Sequence, residues 1–201
     1  QTFRDLFANE ALRPGEQISV GSLTIVFTDL RGSTRLYNEI GDAPAFGLVM
    51  NHFDVLRAAI NAEDGAIVKT IGDAVMAVFR RPAPAIRAML HAQSMLSADQ
   101  SERGLRLRAG IHFGPCIAVT LNDRLDYFGS TVNLAARLEG LTKEYGVGIL
   151  VSESTREAAP GIIYRELDRM RVQGKGLAVS IYEPLGLPDK LSAQQLGSVE
   201  Q

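Results

Sequence analysis

Asp29 ends a short apolar run at 23–27, and Asp73 follows Gly72 between two further apolar runs. Two carboxylates brought close together repel each other, and hard divalent cations with oxygen ligands relieve that repulsion. A pair of such cations can acidify an attacking hydroxyl and neutralise charge on a phosphate and its leaving group. Directly after Asp29 come Leu30, Arg31, Gly32, Ser33 and Thr34. They put a glycine, two hydroxyls and backbone N–H groups at the start of a helix, a setting that favours an anion such as a polyphosphate. The pattern is not a P-loop, because no Gly-Lys-Ser/Thr follows the strand. A plainer reading remains open, in which Gly72-Asp73 only turns a hairpin and Asp29 caps the following helix.

The elements that must position these residues follow from periodicity. The β-rich run 23–27 predicts a buried strand. From Pro44, the residues Phe46, Val49, Met50, Phe53, Leu56 and Ile60 recur at three- and four-residue steps up to Gly65, which predicts a long helix. Runs at 66–70 and 75–79 flank Ile71-Gly72-Asp73-Ala74 and predict a hairpin. A second helix is expected after Pro82 and Pro84, with Ile86, Met89, Leu90, Gln93 and Leu96 on one stripe. Leu105, Leu107, Ala109 and Ile111 alternate as a fourth strand. This order is the ferredoxin-like βαββαβ core of an α+β domain, an antiparallel sheet with both helices on one face. There the first strand lies beside the hairpin, which brings Asp29 toward Asp73. Beyond Gly114-Pro115, a run at 116–121 and the turn Asn122-Asp123-Arg124 predict a hairpin arm. A helix at 131–142 and strands at 148–152, 162–167 and 179–182 are then expected as a C-terminal α/β subdomain. Residues 1–20 read as a linker or the end of an upstream segment, 21–184 as the domain and 185–201 as a flexible tail. A chain opening on Gln1 suggests a piece of a longer protein.

Composition removes several functions. The 201 residues suit one domain, and a net charge of −2 gives no basic field for nonspecific nucleic-acid binding. No apolar run approaches the ~20 residues of a membrane-spanning helix. The single cysteine, Cys116, excludes an internal disulfide and a multi-cysteine zinc site, consistent with a cytoplasmic domain whose parent protein could still carry a membrane anchor. Cys116 is expected to be a packed residue, and His52, His91 and His112, which lack ligand spacing, to be structural or exposed. Arg103, Arg106 and Arg108 are expected on a solvated strand face. A ferredoxin-like RNA-binding domain would need aromatic-basic motifs on its central strands, and these are lacking.

Four segments, in order, resemble the class III nucleotidyl cyclase catalytic domain, of the bacterial adenylate cyclase type. They are Leu23-Thr24-Ile25-Val26-Phe27-Thr28-Asp29-Leu30-Arg31-Gly32-Ser33-Thr34; Lys69-Thr70-Ile71-Gly72-Asp73; Gly110-Ile111-His112-Phe113-Gly114-Pro115; and Asp126-Tyr127-Phe128-Gly129-Ser130-Thr131-Val132-Asn133-Leu134-Ala135-Ala136-Arg137-Leu138. The resemblance implies conversion of ATP to cyclic AMP and pyrophosphate by a homodimer with two active sites at its interface and two Mg²⁺ or Mn²⁺ per site. It implies that Asp29 and Asp73 bind the metals and that the Leu30 carbonyl completes the second metal's shell. Arg31, Gly32, Ser33 and Thr34 would cradle the phosphates. Lys69 and Asp126 match the pair that selects the purine, Asn133 the residue that positions the ribose, and Arg137 the cation at the α-phosphate. Lys175, in Gln173-Gly174-Lys175-Gly176, would touch the terminal phosphates. The resemblance further implies that Asp29 and Asp73 meet Asn133 and Arg137 of the other chain, and that an upstream regulatory domain is the partner in the full-length protein. The Pro115–Asp126 connection is shorter than in mammalian-type domains, which points to an abbreviated arm. A guanylate cyclase and a catalytically silent nucleotide-binding or dimerisation module of the same fold are the alternatives.

Overall fold

Strict alternation along the central strands gives the sheet two apolar faces, and each face is covered. The computed structural model describes residues 17–98, 106–121, 124–171 and 178–188. The strands are β1 (Gln17–Arg31), β2 (Ala66–Ile71), β3 (Ala74–Phe79), β4 (Arg106–Leu121), β5 (Arg124–Phe128), β6 (Ile149–Ser152), β7 (Ile163–Arg171) and β8 (Ala178–Gly186). The helices are α1 (Ser33–Ile40), α2 (Asp42–Ala62), α3 (Pro82–Ala98), α4 (Ser130–Tyr145) and the short α5 (Glu153–Glu157). The strand order is β2-β3-β1-β4-β6-β8-β7, with β5 paired to β4. All pairings are antiparallel except β4 with β6, so the C-terminal strands extend the same sheet.

Val26, Val75, Ala77, Phe79, Leu107, Ala109 and Ile111 point to one face. There they pack with Leu56, Ala59 and Ile60 of α2 and Ala85, Ile86 and Met89 of α3. Both helices of the βαββαβ unit therefore lie on one side, as the periodicity predicts. Leu23, Ile25, Met76, Val78, Cys116 and Ala118 face the other side and pack with Tyr127 of β5 and Ala135 of α4. Burying these two layers is the main drive for the fold, at about 25 cal/mol per Å² of apolar surface. Pro82 and Pro84 are tolerated in the first turn of α3, where the missing N–H groups have no intrahelical acceptor.

Several expectations are corrected. β1 begins at Gln17, with a register shift between Ser19 and Ser22 where Gly21 takes φ 78°. β4 does not stop at Gly114-Pro115 but runs on to Leu121, so the expected fourth strand and the first arm strand are one. Pro115 fits there because it pairs with Ser22 beside the irregularity in β1, while its carbonyl accepts the Thr131 hydroxyl. The first long helix is preceded by a separate helix, α1, and begins at Asp42 rather than Pro44. β8 continues through Pro184 to Gly186.

Candidate active site

β1 and β4 pair in a register that sets Asp29 opposite Arg108, both on the α4 side of the sheet. The Arg108 guanidinium lies 3.5 Å from the Asp29 carboxylate, and their side chains are only 17% and 32% exposed. Asp29 is therefore not a helix cap: the N-cap of α1 is Gly32, at φ 92°, and no side chain caps that end. A residue with a Cβ is strained at such a φ. The first-turn N–H groups of α1 thus stay free of side-chain acceptors. Leu30 is buried, Arg31 and Gly32 are exposed and Ser33 is half-buried.

Asp73 occupies the two-residue tip between β2 and β3, with Gly72 at φ 63° making the turn. Glu139 of α4 connects the two aspartates. Its carboxyl is pushed above the usual range by burial first, then by the charges of Asp29 and Asp73, with Arg108 acting in the opposite direction. Both aspartates thus lie within electrostatic reach of one half-buried glutamate. They form one acidic end of the sheet, with the Arg108 guanidinium beside it.

Lys69 of β2 and Asp126 of β5 are 57 positions apart and meet at 2.6 Å. The Asp126 carboxylate also accepts its neighbour's backbone, from the Tyr127 N–H at 2.9 Å. Both side chains stay partly exposed, at 39% and 21%. One donor and one acceptor are held side by side.

Helix α4 buries Thr131, Leu134, Ala135, Leu138 and Thr142 and leaves Asn133 and Arg137 exposed. Gly110 of β4 sets its position, because a Cβ there would overlap the Glu139 nitrogen and the Ala135 carbonyl of the helix backbone. Ile117 and Phe128, paired in register on β4 and β5, are exposed apolar side chains on the arm.

The model of the adenylate and guanylate cyclase catalytic domain matches residues 16–182. The chain belongs to that family. Adenylate cyclase 1 of Rhizobium meliloti is 29% identical over 194 residues, 88% of this chain and 29% of its own length. An adenylate cyclase of Anabaena cylindrica is 33% identical over 193 residues, 84% of this chain and 38% of its own length. The cyclase domain described here thus spans about a third of these relatives. Among solved structures, the adenylyl cyclase CyaB from P. aeruginosa superposes with a TM-score of 0.70 at 27% identity, covering 88% of this chain and 100% of that one. Guanylate cyclases also match. No helix among the described residues is long and apolar enough to cross a membrane.

In this cyclase domain Asp29 and Asp73 both lie within electrostatic reach of Glu139, and Lys69 meets Asp126. Asn133 and Arg137 stand apart on the outer face of α4, and Lys175 lies outside the described residues. Two participants were missed. Arg108 was expected on a solvated face, yet it is mostly buried against Asp29, and Glu139 was not singled out. The alternation of β4 puts Arg106 and Arg108 on the same side, and only the strand register shows which of them meets a carboxylate.

Proposed function

We propose that this cyclase domain is an adenylate cyclase, forming 3′,5′-cyclic AMP and pyrophosphate from ATP in a homodimer with two interfacial sites. The Lys69–Asp126 pair carries this reading. An ammonium can donate to adenine N1 while a carboxylate accepts from the exocyclic amine. Guanine presents the reverse pattern and leaves both charges mismatched, a strong basis for discrimination. The adenylate cyclase names of the similar proteins support the same choice.

Two Mg²⁺ or Mn²⁺ per site, when bound, supply activation of the ribose 3′-hydroxyl and neutralise phosphate charge. The residues present fit them. Mg²⁺ typically rests on one or two carboxylates and is completed by water and substrate phosphates rather than by an all-protein cage. Asp29 and Asp73 are such a pair, and no larger ligand group occurs among the described residues. The Leu30 carbonyl is assigned to the second metal, and the N–H groups of Arg31, Gly32, Ser33 and Thr34 at the α1 start to the polyphosphate. Arg108 adds a fixed cation beside Asp29, with its Nε buried and without a partner. Lys175 is assigned to the terminal phosphates.

Asn133 orients the ribose and Arg137 stabilises charge on the α-phosphate during in-line attack. Support for their acting across the interface comes from α4 itself. Arg137 and Glu139 are two residues apart, about 200° around the helix. Glu139 faces its own chain's aspartates, so Arg137 faces away from them and toward a second copy. Residues 21–184 would be the output domain of a longer signalling protein whose upstream domain regulates it.

The test is cyclic AMP and cyclic GMP production from ATP and GTP with each metal. Cyclic AMP should dominate, and Asp126→Ala should erode that preference by about ten- to a hundredfold, the loss of one hydrogen bond to a charged group. Faster cyclic GMP formation by the unaltered domain overturns the base assignment.

A further inference from the structure

His52 of α2 is 1% exposed, and neither of its ring nitrogens has a hydrogen-bond partner. A buried polar group without a partner is costly, so a protein that keeps one usually has a use for it. The Asp73 charge acts on the ring, which places the two within electrostatic reach. An imidazole always carries at least one N–H to donate.

Its height in the fold follows from element geometry. Leu56, one turn along α2, belongs to the same core cluster as Val26 and Val75. From Ala62 back to His52 the helix rises about 15 Å, at ~1.5 Å per residue. The antiparallel run of β2 from Ala66 to Ile71 covers about the same distance, at ~3.3 Å per residue. His52 is therefore level with the hairpin tip, on the α2 side of the sheet, while Arg108 approaches Asp29 from the α4 side. Asp29 has Arg108, whereas Asp73 makes no hydrogen bond or ion pair among the described residues. Among the described residues, a buried donor and a carboxylate that each lack a hydrogen-bond partner thus stand at the same level.

We propose that His52 is a positioning residue for Asp73, its ring N–H holding the carboxylate oxygen that a divalent cation leaves free. The proposal rests on the metal reading of Asp29 and Asp73. Hydrogen bonds to ligating carboxylates fix their orientation, and losing one typically costs ten- to a hundredfold in metal affinity. His52 touches neither substrate nor metal; it acts through Asp73.

The test measures Mn²⁺ affinity by electron paramagnetic resonance of free Mn²⁺, with 3′-deoxy-ATP, which lacks the attacking hydroxyl, and measures thermal unfolding in parallel. His52→Leu removes both nitrogens at similar volume. It should weaken Mn²⁺ binding about ten- to a hundredfold while the Tm without metal stays level or rises, because an unpaired polar group has gone. His52→Gln and His52→Asn each place an amide N–H near one ring nitrogen, and one of them should restore most of the affinity. Asp73→Asn is run alongside. If Asp73→Asn loses Mn²⁺ and His52→Leu binds it like wild type, His52 is only packing and the proposal fails. If Asp73→Asn also binds normally, the metal reading itself fails. Should His52→Leu not fold, the amides decide the matter, and equal Mn²⁺ affinity in both overturns the proposal.

Discussion

The acidic end of the sheet and the outer face of α4 make an instructive contrast. At the sheet end, Asp29 is two-thirds buried, paired with Arg108 and coupled to Glu139, all within one chain. On α4, Asn133 and Arg137 are exposed, and among the described residues neither side chain makes a hydrogen bond or ion pair. Both regions ride on the same strand, since Gly110 of β4 seats the helix and Arg108, two residues earlier, meets the aspartate. One region is electrostatically furnished by its own chain, and the other holds a polar set with nothing of its own to act on. An exposed polar set seated against the sheet in this way is what the proposed two-fold assembly requires.

The sharpest way to break this comparison is to remove the two carboxylates proposed to hold the metals. Asp29→Ala or Asp73→Ala should cut cyclic AMP formation by about a thousandfold or more, since a lost ligand forfeits several kcal/mol of transition-state stabilisation. Circular dichroism should show the fold retained.

Arg137→Ala should cost about a hundred- to a thousandfold in turnover, the usual effect of losing a group aimed at developing charge. Mixing equal amounts of Asp29→Ala and Arg137→Ala chains should then restore roughly a quarter of wild-type activity, because half the dimers are mixed and each has one intact site. Exchange must be confirmed with differently tagged subunits. Confirmed mixed dimers as inactive as their parents would place Arg137 and Asp29 in one chain.

Gly110→Ala tests the shared seat. The added methyl meets backbone rather than a flexible side chain, so overpacking should cost about 1–3 kcal/mol in denaturant unfolding. Turnover should fall more than Mn²⁺ binding, because the shifted helix carries Asn133 and Arg137 rather than the aspartates.

The smallest effect is expected at Glu139. A carboxyl whose folded pKa is raised contributes stability below its unfolded value, and that contribution is lost as pH rises through the folded one. At neutral pH the Glu139 carboxyl therefore opposes folding. Glu139→Gln should raise the metal-free Tm by a few degrees at most there, and the advantage should vanish on acidification. A Tm difference that grows toward low pH contradicts this arrangement.

The βαββαβ order was legible because each element has its own period. The stripe through Val49, Phe53, Leu56 and Ile60 needs no tertiary partner to be recognised, and neither does the alternation through Leu107, Ala109 and Ile111. The break expected at Gly114-Pro115 was wrong for a physical reason. Whether a proline ends a strand depends on what pairs with it, and here an irregularity in the neighbouring strand accommodates it. The separation of α1 from α2 was likewise hidden, because Gly41 ends the first helix and caps the next within one polar stretch.

The sequence by itself determined the family, the α+β layering and which residue types stand at the strand end, the hairpin tip and the helix face. These depend on local pattern and on short motifs whose members are chain neighbours. Only the tertiary structure decided that Arg108 rather than Arg106 meets Asp29, that Glu139 lies within electrostatic reach of both aspartates and that the His52 ring nitrogens are buried without a partner among the described residues. Those facts depend on strand register and on helix rotation, where one residue of slip turns a side chain to the opposite face. Contacts between residues dozens of positions apart leave no periodic trace in the chain.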